Sequence, residues 1–313
     1  MISNNTKAKL ADLKHDFIQL GWKIVYDWSF SLSALIGYSL LISLLPLILC
    51  LFTIVSLIFN GNPVIEKSIR DRLVEAFPEG SLTDVVDTLV KSISNQAGLV
   101  FFVSFAVSVF GGSRLLICID DVLTIVYRLR ERTVLNQNIH AIKLLLAFFI
   151  LIPVLMISAS APAIIIKGEG WYHFASALSS GILGFLVFEL AYIYVPDRTM
   201  SFHNTWCGSL FGAVGLQVVF VGFPIYVHNF MTNYVGQLGV VIVTVLFFYI
   251  CGLLLVVGAQ INAYFYDHIQ PLPVSLGTLL SRTVDQENRA LVDNNLQITN
   301  DMLTLKEGFN PVN

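Results

Sequence analysis

Arg114, Asp120 and Asp121 stand within or at the end of one long apolar run, where ionisable groups are the first candidates for chemistry. A charged side chain in hydrocarbon costs at least ~2.5 to 3.5 kcal/mol, so each must be paired, hydrated or functional. A separation of seven residues is nearly two helical turns. Arg114 and Asp121 therefore share a helix face about 10 Å apart in axial rise, and direct contact needs long side-chain reach or a neighbouring helix. Gly111, Gly112 and Ser113 would let another helix approach closely, or let the helix open around a bound group. The competing reading has Arg114 and both aspartates snorkelling to the inner interface.

Glu189 is the sole ionisable residue of a later apolar run and lies shortly before the turn Pro196-Asp197-Arg198. Interior pairing and snorkelling both fit it. Gln217, Gln260 and Asn262 are uncharged polar groups in the last two apolar runs. Hydrogen bonding between helices is the plain reading, and lining a polar pathway is the functional one. In the first run Ser39, Ser43 and Pro46 follow helical spacing beside Tyr38, giving a small, polar, kinked face that must meet protein or water. Pro46, Pro153, Pro162 and Pro224 each remove a helical hydrogen bond, and the resulting kinks can frame a cavity.

Other chemistries are excluded or unsupported. The six histidines have no paired spacing and no HExxH, and the cysteines at 50, 118, 207 and 251 have no CxxC spacing, so no metal site or other cofactor is expected. No GxxxxGK[ST] loop or GxSxG elbow occurs, which removes ATP-driven pumping by this chain alone and the hydrolase triad. No catalytic residue is expected, and the chain is read as a non-enzyme.

The elements that must position these residues are membrane helices. Of 313 residues 56% are hydrophobic and only 12% charged, with a mean hydropathy of +0.75, and a water-soluble fold could not cover that much apolar surface. Six runs are long enough to cross a bilayer: Ser31 to Phe59, Ala97 to Ile119, His140 to Ile166, Phe174 to Val195, Trp206 to Phe230 and Gly236 to Tyr264. The first is too long for a signal peptide and follows a polar lead. With the N-terminus inside, twelve Lys and Arg fall on the inner side and five outside, with Arg114 set aside, so both termini are expected in the cytoplasm of a plasma-membrane protein.

The expected fold is all-α, a six-transmembrane-helix bundle. Residues 1–30 would form a cytoplasmic or interfacial amphipathic helix, 31–264 the membrane domain and 265–313 a polar cytoplasmic tail. In the lead helix Leu10, Leu13, Phe17, Leu20 and Ile24 form an apolar stripe beside Lys9, Lys14 and Lys23, whose charges would face anionic headgroups. An ordinary lead-in helix fits as well. The outer loop 60–96 carries two short amphipathic helices. The first starts at Asn62-Pro63 and ends at Pro78; the second starts at Ser81.

Three stretches together resemble the YihY/BrkB family of bacterial inner-membrane proteins. They are Gly37-Tyr38-Ser39 through Ser43-Leu44-Leu45-Pro46; Asp121, Leu123 and Tyr127; and a long stretch from Tyr192 through Pro196, Arg198, Gly208, Tyr226, Asn229-Phe230, Gly239, Tyr249 and Gly258-Ala259 to Asn262-Ala263. The resemblance spans about residues 22 to 266. It implies a six-helix membrane protein with both termini inside, for which transport has been suggested. It also carries an older ribonuclease label regarded as a misassignment, and a link to virulence. Gln217 and Gln260 stand where relatives are expected to have Glu, and Arg114 near an expected Gly, so a proton route through such glutamates need not hold here.

The leading reading is a transporter or exporter of an unidentified small or lipid-like solute, with the lipid bilayer as its other partner. The alternative is a non-transporting envelope protein that organises lipid or recruits a partner through its outer loop. A nuclease needs clustered wet carboxylates and basic contacts to nucleic acid, and the acidic tail offers neither, so no nucleic-acid partner is expected.

Overall fold

The computed structural model describes residues 4–58, 83–148, 169–231 and 236–307, and the described residues are helices joined by short turns with no strand. The helices are α1 (Asn4–Tyr26), α2 (Ser29–Ile58), α3 (Thr83–Tyr127), α4 (134–148), α5 (Glu169–Tyr194), α6 (Phe202–Met231), α7 (Gly236–Phe265) and α8 (Leu276–Glu307). Two segments, Phe202–Phe223 and Val241–Phe265, are each long and apolar enough to cross a membrane. Lys14–Tyr26 with Ser29–Ser43 adds a third if counted as one broken span, and Leu178–Tyr194 is a shorter apolar helix.

Residues 29–269 form one compact unit. Its centre is α7, which packs against α2, α3 and α6, while α2 also packs on α3 and α5 on α6. Small residues permit these approaches. A Cβ on Gly252 would strike the Ser33 carbonyl of α2, and one on Gly208 of α6 would strike the Gly258 carbonyl of α7, so both crossings bring backbone against backbone. The core between them is apolar, with Ile36, Val122, Leu123, Val126, Val256, Ala259 and Ala263 fully or almost fully buried. Facing outward, Phe102, Phe110, Val218, Val221, Ile225 and Ile242 are more than half exposed. Apolar side chains in that number on the outside of packed helices suit lipid as the surrounding solvent.

The second outer stretch is not a separate short helix. Its residues from Thr83 onward run without a break into α3, which is 45 residues long. No proline stands between Pro78 and Pro153, and at ~1.5 Å per residue the helix reaches about 67 Å, well beyond a hydrocarbon layer. The first outer helix lies outside the described residues, as do Pro153 and Pro162. α3 ends in a Schellman motif: the Leu129 N–H bonds the Thr124 carbonyl at 2.9 Å and the Arg128 N–H that of Ile125 at 3.3 Å, with Arg128 left-handed at φ 53°.

Residues 1–28 and 270–313 form the other unit. Lys23 does not reach toward headgroups; it is fully buried and ion-paired to Asp27, four residues on and just past the end of its helix. The tail is more regular than its polarity implies, because after Pro271 and Pro273 nothing interrupts α8 for 32 residues. Ser275 opens that helix, its carbonyl taking the Leu279 N–H at 3.0 Å and its hydroxyl the Trp28 indole N–H at 3.0 Å.

Candidate functional site

The polar side chains of the 29–269 unit gather where α3, α5 and α7 end and α6 begins. Tyr127 closes α3 and is 2% exposed; Glu189 and Tyr192 lie in the last two turns of α5; Thr205 lies in the first turn of α6; Asn262 lies in the last turn of α7. Thr205 donates its hydroxyl to Glu189 Oε1. Tyr192 donates to the Leu255 carbonyl at 2.8 Å, and the Gly208 N–H donates to Asn262 Oδ1 at 2.7 Å. Around the Tyr127 hydroxyl stand Asn262, Asp267, Glu189 and Arg198, and burial raises the phenol's pKa well above its usual value. Arg198 in turn holds Asp267 at 3.0 Å.

A second network lies at the same end. Arg132, in the turn after α3, places Nη1 3.1 Å from Asp120 Oδ2 and 3.1 Å from the Val195 carbonyl, and Nε 3.1 Å from Asp197 Oδ1. It thereby clamps the end of α3 to the α5–α6 turn. Gln137 of α4 donates to Asp121 Oδ1 at 2.6 Å and more weakly to Asp120 Oδ2 at 3.4 Å. Both aspartates lie beyond the apolar run that stops at Ile119. Burial pushes the Asp120 carboxyl above the usual carboxylate range, against the pull of Arg132 and Gln137, and burial likewise raises Asp121 against Gln137.

These networks leave carboxylate oxygens without donors. Glu189 Oε2, Asp120 Oδ1 and Asp267 Oδ2 are buried and meet no hydrogen-bond partner in the described protein. The Tyr127 hydroxyl and Asn262 Nδ2 are buried there without a partner as well, so this end of the molecule leaves both donors and acceptors for water or a polar group from outside the chain to meet. Among the described residues no cluster of three or more His, Cys, Asp or Glu is arranged to hold a metal ion.

The residues singled out in the sequence divide accordingly. Asp120, Asp121, Glu189 and Asn262 join these networks. Arg114 does not; it is exposed, with its guanidinium 5.4 Å from the Phe110 ring centroid, and the partner of Asp120 is Arg132. Gln260 is fully buried and donates to Ser29 Oγ at 3.0 Å, tying α7 to the start of α2, and Gln217 donates to Ser180 across α6 and α5. Ser39 and Ser43 donate to carbonyls of their own helix, Leu35 and Leu40, each at 3.0 Å, and Tyr38 is 63% exposed. Pro46 and Pro224 lie within α2 and α6. Arg132, Gln137, Tyr127, Thr205 and Asp267 carry the site as much as the residues found by pattern. Tyr127 stood in the family-like stretch, and Arg132 in the basic run Arg128, Arg130, Arg132, counted only for orientation.

The model of the family described as virulence factor BrkB matches residues 25–275, most of the chain and all of the site. The chain belongs to the BrkB family. It is 23% identical over 294 residues to a UPF0761 membrane protein of Aliivibrio salmonicida, covering 88% of this chain and 90% of that one. It is also 23% identical over 248 residues to a ribonuclease-like protein, YfkH, of Bacillus subtilis, covering 74% and 88%. A UPF0761 membrane protein of Delftia acidovorans matches at 24% over 230 residues, 69% of this chain and 53% of that one. No solved structure matches. BrkB membership and the UPF0761 relatives make this chain a membrane protein, in accord with its outward apolar helix faces. The matched BrkB region includes both networks at the ends of α3, α5 and α7.

Proposed function

We propose that this BrkB-family chain is a six-span plasma-membrane protein, with both termini cytoplasmic, that transports or exports a small or lipid-like solute and catalyses no covalent reaction. The observation that carries the reading is the set of buried, half-satisfied carboxylates, above all Glu189, at one end of the packed helices. Each orphaned polar atom in a dry site costs free energy, so a cluster that holds open donors and open acceptors together favours water or a polar solute at it. A pathway must leave valences for what passes. The excess of Lys and Arg on the segments assigned inside supports a cytoplasmic position for this end, with Arg128, Arg130 and Arg132 beside it.

Cysteine accessibility tests this reading. In a chain with Cys50, Cys118, Cys207 and Cys251 replaced by Ser or Ala, Thr205→Cys and Asn262→Cys should react with a membrane-impermeant thiol reagent applied from the cytoplasmic side. A control cysteine at buried Val256 should not react. Equal protection of all three positions from both sides would sink the pathway.

A further inference from the structure

We propose that the groove between the α3–α4 turn and the α5–α6 turn binds a phosphate-bearing anion, either the headgroup of an anionic phospholipid or a free phosphate. The groove is open to its surroundings and offers about 730 Å³, more than one phosphate fills and enough for a lipid headgroup. Arg130, Arg132 and Lys143 line it, with His140 between them. Arg132 is spent on Asp120 and Asp197. Arg130 and Lys143 are exposed and meet no carboxylate among the described residues, and Glu131 is the one lining acid that no cation holds. Two uncommitted cations therefore face one uncommitted acid of the lining, with Asp121, bonded by the neutral Gln137, close to Glu131.

Three further features converge on the same space. α4 begins there: the Gln137 N–H bonds the Thr133 carbonyl at 3.0 Å, and the N–H groups of residues 134–136 precede the first such bond. Thr133 and Asn136 line the groove, so a helix N-terminus, with its unpaired donors and positive dipole end, opens into it. His140 and the Tyr194 carbonyl stand 3.1 Å apart, so the imidazole donates from Nε2 and turns Nδ1 elsewhere. Finally, α4 carries exposed Leu135, Ile139, Ile142 and Leu146 beside the cations. Cations and helix N–H groups next to an exposed apolar stripe match an anionic headgroup with its acyl chains alongside. Guanidinium, ammonium and helix N–H groups are donors that phosphate oxygens accept from. The site stands whether or not the chain transports, because its readout is binding.

The test uses the full-length protein in nanodiscs. In phosphatidylcholine discs containing phosphatidylglycerol, native mass spectrometry should find phosphatidylglycerol retained by the wild-type chain. Arg130→Ala/Lys143→Ala should weaken that retention about tenfold or more, while Lys143→Arg keeps it. Asn136→Asp separates folding from binding: a carboxylate in the first turn favours the helix yet repels the anion, so the variant should be as heat-stable as wild type and still lose the lipid. In discs of phosphatidylcholine alone, inorganic phosphate is titrated calorimetrically against the same chains. Saturable binding there, lost in the same variants, assigns the groove to free phosphate; lipid retention without it assigns the groove to a headgroup. If neither probe distinguishes wild type from Arg130→Ala/Lys143→Ala and Asn136→Asp, the proposal is overturned.

Discussion

Replacing Arg132 with Met removes three contacts at once: Asp120, the Val195 carbonyl and Asp197, each at 3.1 Å. The Asp197 carboxylate is 51% exposed, so its ion pair contributes only about 0 to 1 kcal/mol. Asp120 is different. Its side chain is 5% exposed and that of Arg132 10%, and removing one partner of such a pair costs ~3 to 5 kcal/mol. Gln137 still donates weakly and the carboxyl, already raised by burial, can take up a proton, which places the loss near the lower end, ~3 kcal/mol. Asp120→Asn keeps an acceptor for the guanidinium and should cost ~1 kcal/mol. With the charge gone, Arg132→Met does less further harm, so the double variant should cost at least ~1 kcal/mol less than the sum. The deficit of Arg132→Met should shrink as pH falls toward the ordinary carboxylate range, because a raised folded-state pKa favours the protonated carboxyl and its destabilisation is lost at low pH. Reversible unfolding in mixed detergent micelles, followed by circular dichroism at several pH values, measures all of these. An Arg132→Met variant within ~0.5 kcal/mol of wild type, or strict additivity with Asp120→Asn, would refute the reasoning.

Gly208→Ala should destabilise by ~1 to 3 kcal/mol in the same unfolding assay, since the new methyl meets the Gly258 carbonyl and Asn262 at the α6–α7 crossing. Asn262→Leu removes the acceptor of the Gly208 N–H and should cost ~1 to 2 kcal/mol; a neutral result would mean that bond adds nothing to the crossing. Arg114→Ala should stay within about 1 kcal/mol of wild type, because the side chain is exposed and its described contact is the face of Phe110. A larger loss would restore Arg114 to the polar network.

Composition and apolar run length made the helices readable: α2, α6 and α7 start and stop within a few residues of the runs that announce them, because each run is bounded by polar or turn-forming residues. The site was readable only in part. Periodicity reports which residues share a face of one helix, so it joined Arg114 to Asp121. The ion pair that forms instead reaches over 12 residues and through a turn, and Arg132 then touches the chain 63 residues further on. Its side chain looked like one cation in a basic run, and nothing local distinguishes it from Arg128 or Arg130. Glu189 stood out because a lone acid in an apolar run has few bland explanations, whereas Thr205, its donor, is an ordinary residue in an ordinary place. On the small polar face of α2 the serine hydroxyls donate to carbonyls of their own helix, a local bond that sequence spacing does not reveal. Lys23 looked like a headgroup anchor until Asp27, four residues on, took its charge inside.

Glu189→Gln separates passage of a solute from packing. Untargeted mass spectrometry of cell contents, medium and membrane lipids tests passage most directly, comparing cells that lack the protein, overproduce it, or overproduce Glu189→Gln, which can still accept from Thr205. A solute or lipid should be redistributed across the membrane by the wild-type chain and not by Glu189→Gln at equal abundance. The same redistribution by both, or by neither, would contradict it.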